Sequence, residues 1–408
     1  MSNRYLTLDL LRGVAVLGLP TMNMLSFAMP VAAYLNPTVY GNHDFLNHFL
    51  FAFFNLFADQ KFMGLFTLLF GAGIVLLAEK RAEKDQKVGW GHYSRMFWLL
   101  VIGWLHSFFI WENDVLTLYA MIGALVYPIH KLSTKTVLSI SVVSLLIAAY
   151  FFQFPNLDHE QLESENNETP FWIYSPSDEQ IEQDIAEKRG SYSEVMQSAR
   201  RAYYEPLSDE VSDEEELLAS FSYALMAKTF GMMCLGIALY KSGFLLASWS
   251  RRRYQIIMKL ALAIGFSLSI FGLAWNYSHS WNIGAYFSVG IAASSVGAIF
   301  TTLGYAAVVV LIVQKGLMQN MVERLSKVGQ MAMTNYLMQS VICGFIFYGY
   351  GLGLFGSVSR LGLIPIILSL WVFQIYFSNW WLKRFTQGPM EWLWRGLSYY
   401  SFRSMIRR

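Results

Sequence analysis

Ten long runs of apolar residues, separated by short connections that hold most of the charge, dominate this sequence. A helix rises about 1.5 Å per residue, so about 20 apolar residues cross the roughly 30 Å hydrocarbon core of a bilayer. Only 14% of the residues are charged, whereas soluble proteins carry about 25%. We therefore expect an all-α polytopic membrane protein with about ten transmembrane helices. They are predicted at 10–30, 61–79, 95–111, 115–130, 136–154, 218–240, 256–275, 284–313, 331–350 and 362–382.

One further apolar stretch, FLNHFLFAFFNLFA at 45–58, is too short to cross the bilayer alone and too long when joined to the next run. We predict that it forms an interfacial or re-entrant helix. No cleavable signal sequence precedes the first apolar run, which we expect to remain as a membrane anchor.

Cysteine and histidine spacing favours neither disulfides nor a metal centre. Cys234 and Cys343 lie in separate apolar runs, far from any paired spacing. His43 and His48 are near each other but lack further local ligands. We therefore predict no metal site.

The basic residues are unevenly distributed between the connections. If the N-terminus is cytoplasmic, 22 of the 30 lysines and arginines fall on the cytoplasmic side. The opposite loops at 31–44, 112–114 and 276–283 carry none, and 351–361 carries one. Because cytoplasmic loops are enriched in Lys and Arg, we predict that both termini are cytoplasmic and that the chain ends in a basic cytoplasmic tail.

An acidic insertion at 155–217 separates an N-terminal membrane half, 1–154, from a C-terminal membrane half, 218–408. It holds 18 acidic residues against four basic ones, and the predicted topology places it on the extracytoplasmic side. This composition is typical of a solvated helical insertion. A gate or cap over an external substrate entrance is the alternative.

Charged side chains within apolar runs are candidate functional residues, because a charge at bilayer depth costs roughly 3 kcal/mol. In LDLLRG, Asp9 and Arg12 are three residues apart and share one helix face. Gly13 beside them permits close approach of another helix. The pair is either a self-neutralised anchor of the first helix or a cationic site for a phosphate-bearing ligand.

Asp59 and Lys61, in ADQKF, lie between the predicted interfacial helix and the second span. We expect them at the outer boundary of the membrane, where a lysine reaches water by snorkelling. There Lys61 could bind an anionic headgroup. The glycines that follow, such as Gly71, suit close helix packing.

The stretch GWLHSFFIWENDVL, at 103–116, concentrates a histidine, a glutamate and an aspartate near a predicted outer turn. His106 lies five residues before the end of the third span, about 7 Å below the turn. Asp114 is expected to cap the fourth helix. Antiparallel packing places Tyr119 near His106 as a hydrogen-bond partner, while the spacing places Asp114 out of reach.

In GQMAMTNYLMQS, Asn335 and Gln339 are four residues apart and share one face of the ninth predicted span. Hydrogen bonding between helices is one use of such a pair. Contact with a ligand is the other.

Seven long motifs occur in order: LTLDLLRGVAVLG, AAYLNPTVYG, KFMGLFTLLFGAG, WLHSFFIWENDVLTLYAMIGA, VGQMAMTNYLMQS, YGYGLGL and RFTQGPMEWLWRGLSY. With these motifs the chain resembles the bacterial DUF418, or YeiB-like, membrane proteins over nearly its whole length outside the acidic insertion. The resemblance implies a multi-pass protein of the bacterial inner membrane. It also implies distant kinship with transmembrane acyltransferases of the heparan-α-glucosaminide N-acetyltransferase type, which share an LD-x-x-RG signature and can form dimers.

The family pattern falls on Asp9, Arg12, Gly13, Lys61, Gly71, His106, Trp111, Asp114, Asn335, Gln339, Glu391 and Trp392. The catalytic histidine of the N-acetyltransferase relatives has no alignable counterpart after the first helix of this chain. This departure favours His106 as the reactive histidine.

We therefore predict transfer of an acyl group from an acyl-CoA-type donor on the cytoplasmic side to a lipid or glycan hydroxyl or amine outside. His106 would act as general base and Asp114 would support it. Asn335 or Gln339 would donate to the oxyanion, and Arg12 would meet the donor phosphates. No tightly bound cofactor and no nucleic-acid partner are expected, and the resemblance leaves a homodimer open.

A transporter or exporter of a small or lipid-like substrate is the alternative function. In that case His106, Asp114 and Lys61 would form a proton-coupled binding site, and the acidic insertion would be a gate. The sequence shows no inverted repeat with matching broken helices, which counts against this alternative.

Overall fold

The computed structural model describes residues 3–41, 44–83, 88–153, 174–204 and 213–407, which form helices joined by loops. In chain order the helices are α1 (Asn3–Gly18), α2 (Pro20–Ala28), α3 (Ala32–Leu35), α4 (Phe45–Phe57), α5 (Lys61–Ala82), α6 (Val88–Phe109), α7 (Leu116–Val126), α8 (Thr134–Phe151), α9 (Asp178–Lys188), α10 (Tyr192–Tyr204), α11 (Asp213–Lys241), α12 (Arg251–Ser278), α13 (Ile291–Lys315), α14 (Gln319–Gln330), α15 (Ala332–Phe347), α16 (Arg360–Arg384) and α17 (Pro389–Tyr399). A short helix, Ile283–Ala285, and a π-helical turn, Tyr286–Gly290, lead into α13.

Seven stretches of the described residues are long and apolar enough to cross a membrane. They are Leu6–Ala28, Phe45–Ala82, Thr134–Phe151, Ala219–Lys241, Arg251–Ser278, Ile283–Lys315 and Arg360–Arg384. The other three predicted spans correspond to α6, whose first turns are polar, and to α7 and α15, which have 11 and 16 residues. The protein is thus an all-helical, multi-pass membrane protein, and the count of ten spans stays a prediction.

Glycines bring the central helices into backbone contact. A Cβ at Gly13 of α1 would lie 2.1 Å from the carbonyl oxygen of Leu325 in α14, and a Cβ at Gly71 of α5 would lie 2.0 Å from that of Met233 in α11. Any larger residue would force these helix pairs apart. Both glycines therefore serve the close packing that the sequence predicted.

The apolar stretch 45–58 forms the separate helix α4, as predicted. The phenylalanines Phe45, Phe49, Phe53 and Phe57 form an exposed stripe along it. At its C-terminal end, the Phe57 ring packs on Phe266 and its carbonyl oxygen accepts from the Tyr305 hydroxyl at 2.9 Å. Phe266 and Tyr305 lie in the middle of α12 and α13, so α4 enters the bundle, which favours the re-entrant alternative. His48 of α4 contacts Tyr277, whereas His43 lies outside the described residues.

The described loops fall on two opposite faces of the bundle. The face that carries the start of α1 and the C-terminal tail, here called the terminal face, also holds the end of α5, the first turns of α6 and the α7–α8 connection. Hydrogen bonds join the elements of this face; for example, Nε1 of Trp394 in α17 donates to the carbonyl oxygen of Arg95 in α6 at 2.9 Å. The opposite face, here called the insertion face, carries the α6–α7 loop and residues 174–204. The assignment of the terminal face to the cytoplasm stays a prediction.

The described part of the acidic insertion docks on the insertion face instead of standing free in solvent. Val195 and Met196 of α10 are almost fully buried, and Lys188 of α9 forms a 2.6 Å ion pair with Glu112 in the α6–α7 loop. Burial alone would lower the pKa of Lys188, but neighbouring carboxylates, Glu112 first among them, raise it. The described part of the insertion is thus a docked element of the insertion face, and its role as a gate or cap over a substrate entrance stays a prediction. Residues 155–173 and 205–212 of the insertion lie outside the described ranges.

Candidate active site

A cavity of about 1000 Å³ opens at the terminal face and extends into the bundle. Its outer part is lined by the basic residues Arg12, Lys80, Arg81, Arg95, Arg395 and Arg403 and the aromatic residues Trp90, Trp392, Trp394 and Tyr399. The Arg95 guanidinium stacks 3.9 Å from the centroid of the Trp394 ring, which holds both side chains in place. The mouth therefore combines an excess of positive charge with flat ring surfaces.

The inner end of the cavity reaches the first turns of α7. Leu116, Tyr119 and Tyr336 line it there. Arg95 at the mouth and His106 near the inner end lie on α6, 11 residues apart, which corresponds to about 16 Å along the helix. The cavity can therefore hold an elongated ligand whose charged group stays at the mouth.

His106 and Asp114 are in direct contact, so the prediction that Asp114 lies out of reach was wrong. Nδ1 of His106 lies 2.8 Å from Oδ1 of Asp114, and both side chains are 1% exposed. The prediction assumed an outer turn at 112–114 with Asp114 above His106. In the structure the chain turns earlier, since the N–H groups of Ile110 and Trp111 both donate to the His106 carbonyl. Asp114 consequently returns into the bundle before α7 begins.

Gly103 permits this return. A Cβ at Gly103 would lie 2.6 Å from the backbone nitrogen of Thr117 and 2.9 Å from Oδ2 of Asp114. Gly103 precedes His106 by three residues, so the start of α7 lies about one helical turn below His106. The glycine in GWLH was the sequence signal for this close approach, and the prediction did not use it.

Asp114 accepts hydrogen bonds on both carboxylate oxygens. Oδ2 accepts from the backbone N–H of Thr117 at 2.9 Å and from its hydroxyl at 3.2 Å. Asp114 thus binds a free N–H of the first turn of α7 as predicted, but from one residue before the N-cap, which is Val115. Oδ1 faces His106. Because a carboxylate only accepts, the neutral His106 imidazole carries its proton on Nδ1 and presents a lone pair at Nε2. That Nε2 is buried and has no hydrogen-bond partner among the described residues.

Tyr336 connects this His–Asp pair to the cavity. Its hydroxyl donates to Oδ1 of Asp114 at 3.4 Å, and its ring centroid lies 5.5 Å from that of His106. The same side chain lines the inner end of the cavity. Tyr336 was not predicted as a site residue, because the prediction rested on the face shared by Asn335 and Gln339, and Tyr336 points about 100° away from that face.

Tyr119 lines the cavity but does not bind His106, so that predicted pairing was wrong. Its hydroxyl contacts Oγ1 of Thr67 and donates to the Met63 carbonyl at 3.4 Å. Tyr119 therefore joins α7 to α5 and forms part of the inner cavity wall.

Asn335 and Gln339 lie in a network between helices and not at the cavity. Nδ2 of Asn335 donates to Oγ of Ser378 at 3.0 Å, and Nε2 of Gln339 donates to Oε1 of Gln374 at 3.0 Å. Gln374 in turn donates to the Asn335 carbonyl at 2.9 Å. Both predicted oxyanion donors are thus occupied in joining α15 to α16.

Asp9 and Arg12 form the predicted ion pair and also line the mouth of the cavity. Nη1 of Arg12 lies 2.9 Å from Oδ1 of Asp9, and the Arg12 side chain is 26% exposed. The guanidinium therefore retains donors that face the cavity, which is compatible with both uses proposed for this pair.

Lys61 is 1% exposed, so the prediction that it snorkels to water was wrong. Its Nζ donates to the carbonyl oxygen of Asn55 near the end of α4, at 2.7 Å. Because α4 enters the bundle, the turn at 58–60 and the start of α5 are enclosed by other helices. A second buried lysine, Lys228, donates to Gln60 in the same turn. Lys228 was not predicted as a candidate, although a lysine inside the apolar run 218–240 was a sequence signal for one.

Glu391 caps α15 from the neighbouring helix α17. Its Oε1 accepts the N–H groups of Met333 at 2.7 Å and Thr334 at 3.1 Å. Burial raises the pKa of Glu391, and these hydrogen bonds offset only part of the rise. Trp392 beside it donates from Nε1 to the Arg403 carbonyl at 2.8 Å, which holds the C-terminal tail next to the cavity mouth.

The fold and the site together define a helical membrane protein with a buried His–Asp pair behind the inner end of a basic cavity. Residues 239–401 match the family described as Protein of unknown function (DUF418). The chain is 30% identical to the Uncharacterized protein YeiB of Escherichia coli (strain K12) over 397 residues, which covers 97% of this chain and 96% of the relative. It is also 30% identical to the Uncharacterized protein YxaH of Bacillus subtilis (strain 168), covering 98% of this chain and 96% of the relative. The chain therefore belongs to the DUF418, YeiB-like family. No solved structure gives a significant match.

Proposed function

We propose that this protein is an acyltransferase of the bacterial inner membrane, with both termini in the cytoplasm. It moves an acyl group from an acyl-CoA-type donor to a hydroxyl or amine of a lipid or glycan at the outer face. The observation that carries the proposal is the unpartnered Nε2 of His106, oriented by Asp114 and separated from the inner end of the basic cavity by Tyr336.

The cavity suits a donor of this chemistry. Its mouth offers guanidinium groups such as those of Arg12, Arg81 and Arg395, which bind phosphate oxygens with charge-assisted hydrogen bonds. Trp90 lines the mouth and is 68% exposed, which leaves its ring available for stacking on a nucleobase. The apolar inner wall then receives the acyl chain, and the thioester lies toward Tyr336.

His106 supplies the base for the transfer. Nε2 takes the proton of the acceptor hydroxyl or amine as that group attacks the thioester carbonyl. The new C–O or C–N bond forms, the C–S bond breaks, and the imidazolium returns its proton to the departing thiolate. Asp114 stabilises the transient imidazolium. Because Tyr336 stands between His106 and the cavity in this structure, its ring turns aside when both substrates are bound.

Mass spectrometry of envelope lipids and glycans tests the proposal. Cells that lack the gene are complemented with the wild type, with His106→Ala, or with His279→Ala, whose histidine is exposed on the insertion face. An acylated species is expected with the wild type and with His279→Ala and is expected to be absent with His106→Ala. If all three strains have the same acylated molecules as the deletion strain, acyl transfer is refuted. His106-dependent export of a small molecule in that case supports the transporter alternative.

A further inference from the structure

A second group of buried charges lies at the turn between α4 and α5, apart from the His–Asp pair. Asp59, Lys61 and Lys228 are 6%, 1% and 4% exposed. The two ammonium groups are close enough to interact electrostatically with Asp59, and Lys228 also interacts with Lys61. Three ionisable groups thus share one enclosed region between α4, α5 and α11.

The hydrogen bonds of these groups leave both lysines without a charged partner among the described residues. Nζ of Lys61 donates to the Asn55 carbonyl at 2.7 Å, and Nζ of Lys228 donates to Oε1 of Gln60. Neither ammonium lies within 4.0 Å of a carboxylate in the described part of the chain.

Asp59 is engaged elsewhere. Its Oδ1 accepts the hydroxyl of Tyr34 at 2.6 Å, and its Oδ2 accepts Nε2 of Gln60 at 3.3 Å. The single carboxylate is therefore held by neutral donors, while two ammonium groups, each with three donors, are held by neutral acceptors.

The charge of this group does not balance. With all three side chains ionised, one positive charge has no counterpart, and a buried ion without a partner is strongly unfavourable. The start of α5 adds to the positive potential, because Gln60 precedes it with φ of 60° and gives it no side-chain cap. Ser295 also donates to Oε1 of Gln60 at 2.9 Å, so the amide oxygen is already shared.

We propose that Lys61 and Lys228, together with the start of α5, bind one small monovalent anion of carboxylate or phosphate-ester type. The anion supplies the negative charge that Asp59 alone does not. It can be a free ion or the headgroup of an anionic lipid, since the recognising chemistry is the same. The inference stands on the charge of this turn and does not depend on acyl transfer at His106.

The test is the thermal stability of the purified full-length protein in a neutral detergent. Sodium formate replaces sodium gluconate at constant ionic strength, and Tm is followed as a function of formate concentration. A parallel series in nanodiscs compares phosphatidylglycerol with phosphatidylcholine. Saturable stabilisation by formate identifies a free ion, and stabilisation by phosphatidylglycerol alone identifies a lipid headgroup.

Three variants test whether the excess positive charge at this turn binds the anion. Lys228→Met removes the excess charge and is expected to abolish the saturable stabilisation, whereas Asp59→Asn doubles the excess and is expected to tighten anion binding by about tenfold or more. Asn at position 59 can still accept the Tyr34 hydroxyl, so this variant retains the local fold. The matched control is Lys241→Met, whose ammonium is exposed and binds carbonyls at the terminal face.

The proposal is overturned if neither formate nor phosphatidylglycerol stabilises the wild type, or if Lys241→Met loses the stabilisation as fully as Lys228→Met. If Lys228→Met does not fold, the anion affinity of Asp59→Asn alone tests the proposal. Unchanged anion affinity in Asp59→Asn means that one of the two lysines is neutral in the native protein, and it refutes the site.

Discussion

Replacing Asp114 by Asn tests whether the His–Asp pair sets the reactivity of His106. In the wild type, Oδ2 of Asp114 accepts the backbone N–H of Thr117 at 2.9 Å, and Oδ1 faces Nδ1 of His106 at 2.8 Å. An asparagine has one oxygen and one NH₂ group. The backbone N–H of Thr117 is fixed at the start of α7, so it requires the oxygen and turns the NH₂ toward His106.

This orientation reverses the imidazole tautomer. The NH₂ group at position 114 donates to Nδ1 of His106, which must then be unprotonated, and the ring proton moves to Nε2. A protonated Nε2 cannot act as the base, so the rate of acyl transfer is expected to fall by about 10²–10⁴-fold. The contacts to His106 and Thr117 are kept and only the long, 3.4 Å hydrogen bond from the Tyr336 hydroxyl is lost, so the free energy of unfolding is expected to fall by only about 1 kcal/mol.

The assay measures thiol release from acyl-CoA in proteoliposomes supplied with an envelope extract as the source of acceptor, alongside Tm. Thr117→Ala is the matched control, because it removes only the 3.2 Å hydroxyl contact to Asp114 and leaves the pair with His106 intact. Nitrogen NMR of labelled histidine reports the tautomer directly. Asp114→Asn with near wild-type turnover, or with its proton still on Nδ1, contradicts the reasoning.

Gly103→Ala places a Cβ 2.6 Å from the Thr117 nitrogen and is expected to destabilise the protein by about 1–3 kcal/mol, measured as a fall in Tm. Glu391→Ala removes the cap of α15 and is expected to cost about 0.5–2 kcal/mol, measured by chemical unfolding. Burial raises the pKa of Asp184 to about 6, against about 3.9 in an unfolded chain, so the folded insertion retains a proton that the unfolded chain has lost. Docking of residues 174–204 therefore weakens as pH rises from about 4 to about 6, which is measured as faster hydrogen exchange in this segment. Asp184→Asn is expected to remove the pH dependence.

Hydrophobic patterning predicted the helical class and many of the individual helices, because apolar runs of spanning length have few other uses. The break between α4 and α5 was also predicted, since 45–58 and 61–79 together exceed one crossing. Patterning did not predict how far into the helix bundle the break between α4 and α5 lies. That depth depends on the contact of Phe57 with Phe266 and Tyr305, which lie more than 200 residues away in the chain.

The local geometry of the site was harder to predict than its residues. His106 and Asp114 were both singled out, yet their contact was excluded on a counting argument that treated α6 and α7 as ideal helices joined at 112–114. The early turn after His106 and the missing Cβ at Gly103 change the relative height of the two helices by about one turn. Sequence spacing predicts the relative positions of two residues reliably within one helix. Across a loop, their relative positions also depend on where the first helix ends and the loop begins.

The polar groups inside the apolar runs differ in how fully the protein itself satisfies them. Several buried atoms, such as Nε1 of Trp98, lack a partner among the described residues, so His106 is distinguished by its open Nε2 together with its position next to the cavity. Asn335 and Gln374 bond to each other and to neighbouring helices, so their burial is explained by packing alone. Asp114 is likewise satisfied by its donors. His106 is not, because Nε2 is buried, close to a cavity and without a partner in the described part of the chain. A buried polar atom left open in an otherwise satisfied network carries a free-energy cost of about 1–3 kcal/mol, and a bound substrate that donates to Nε2 removes that cost. Charge separates the lysines in the same way. Lys228 has only a neutral acceptor among the described residues, whereas Asp9 and Arg12 form an ion pair and neutralise each other.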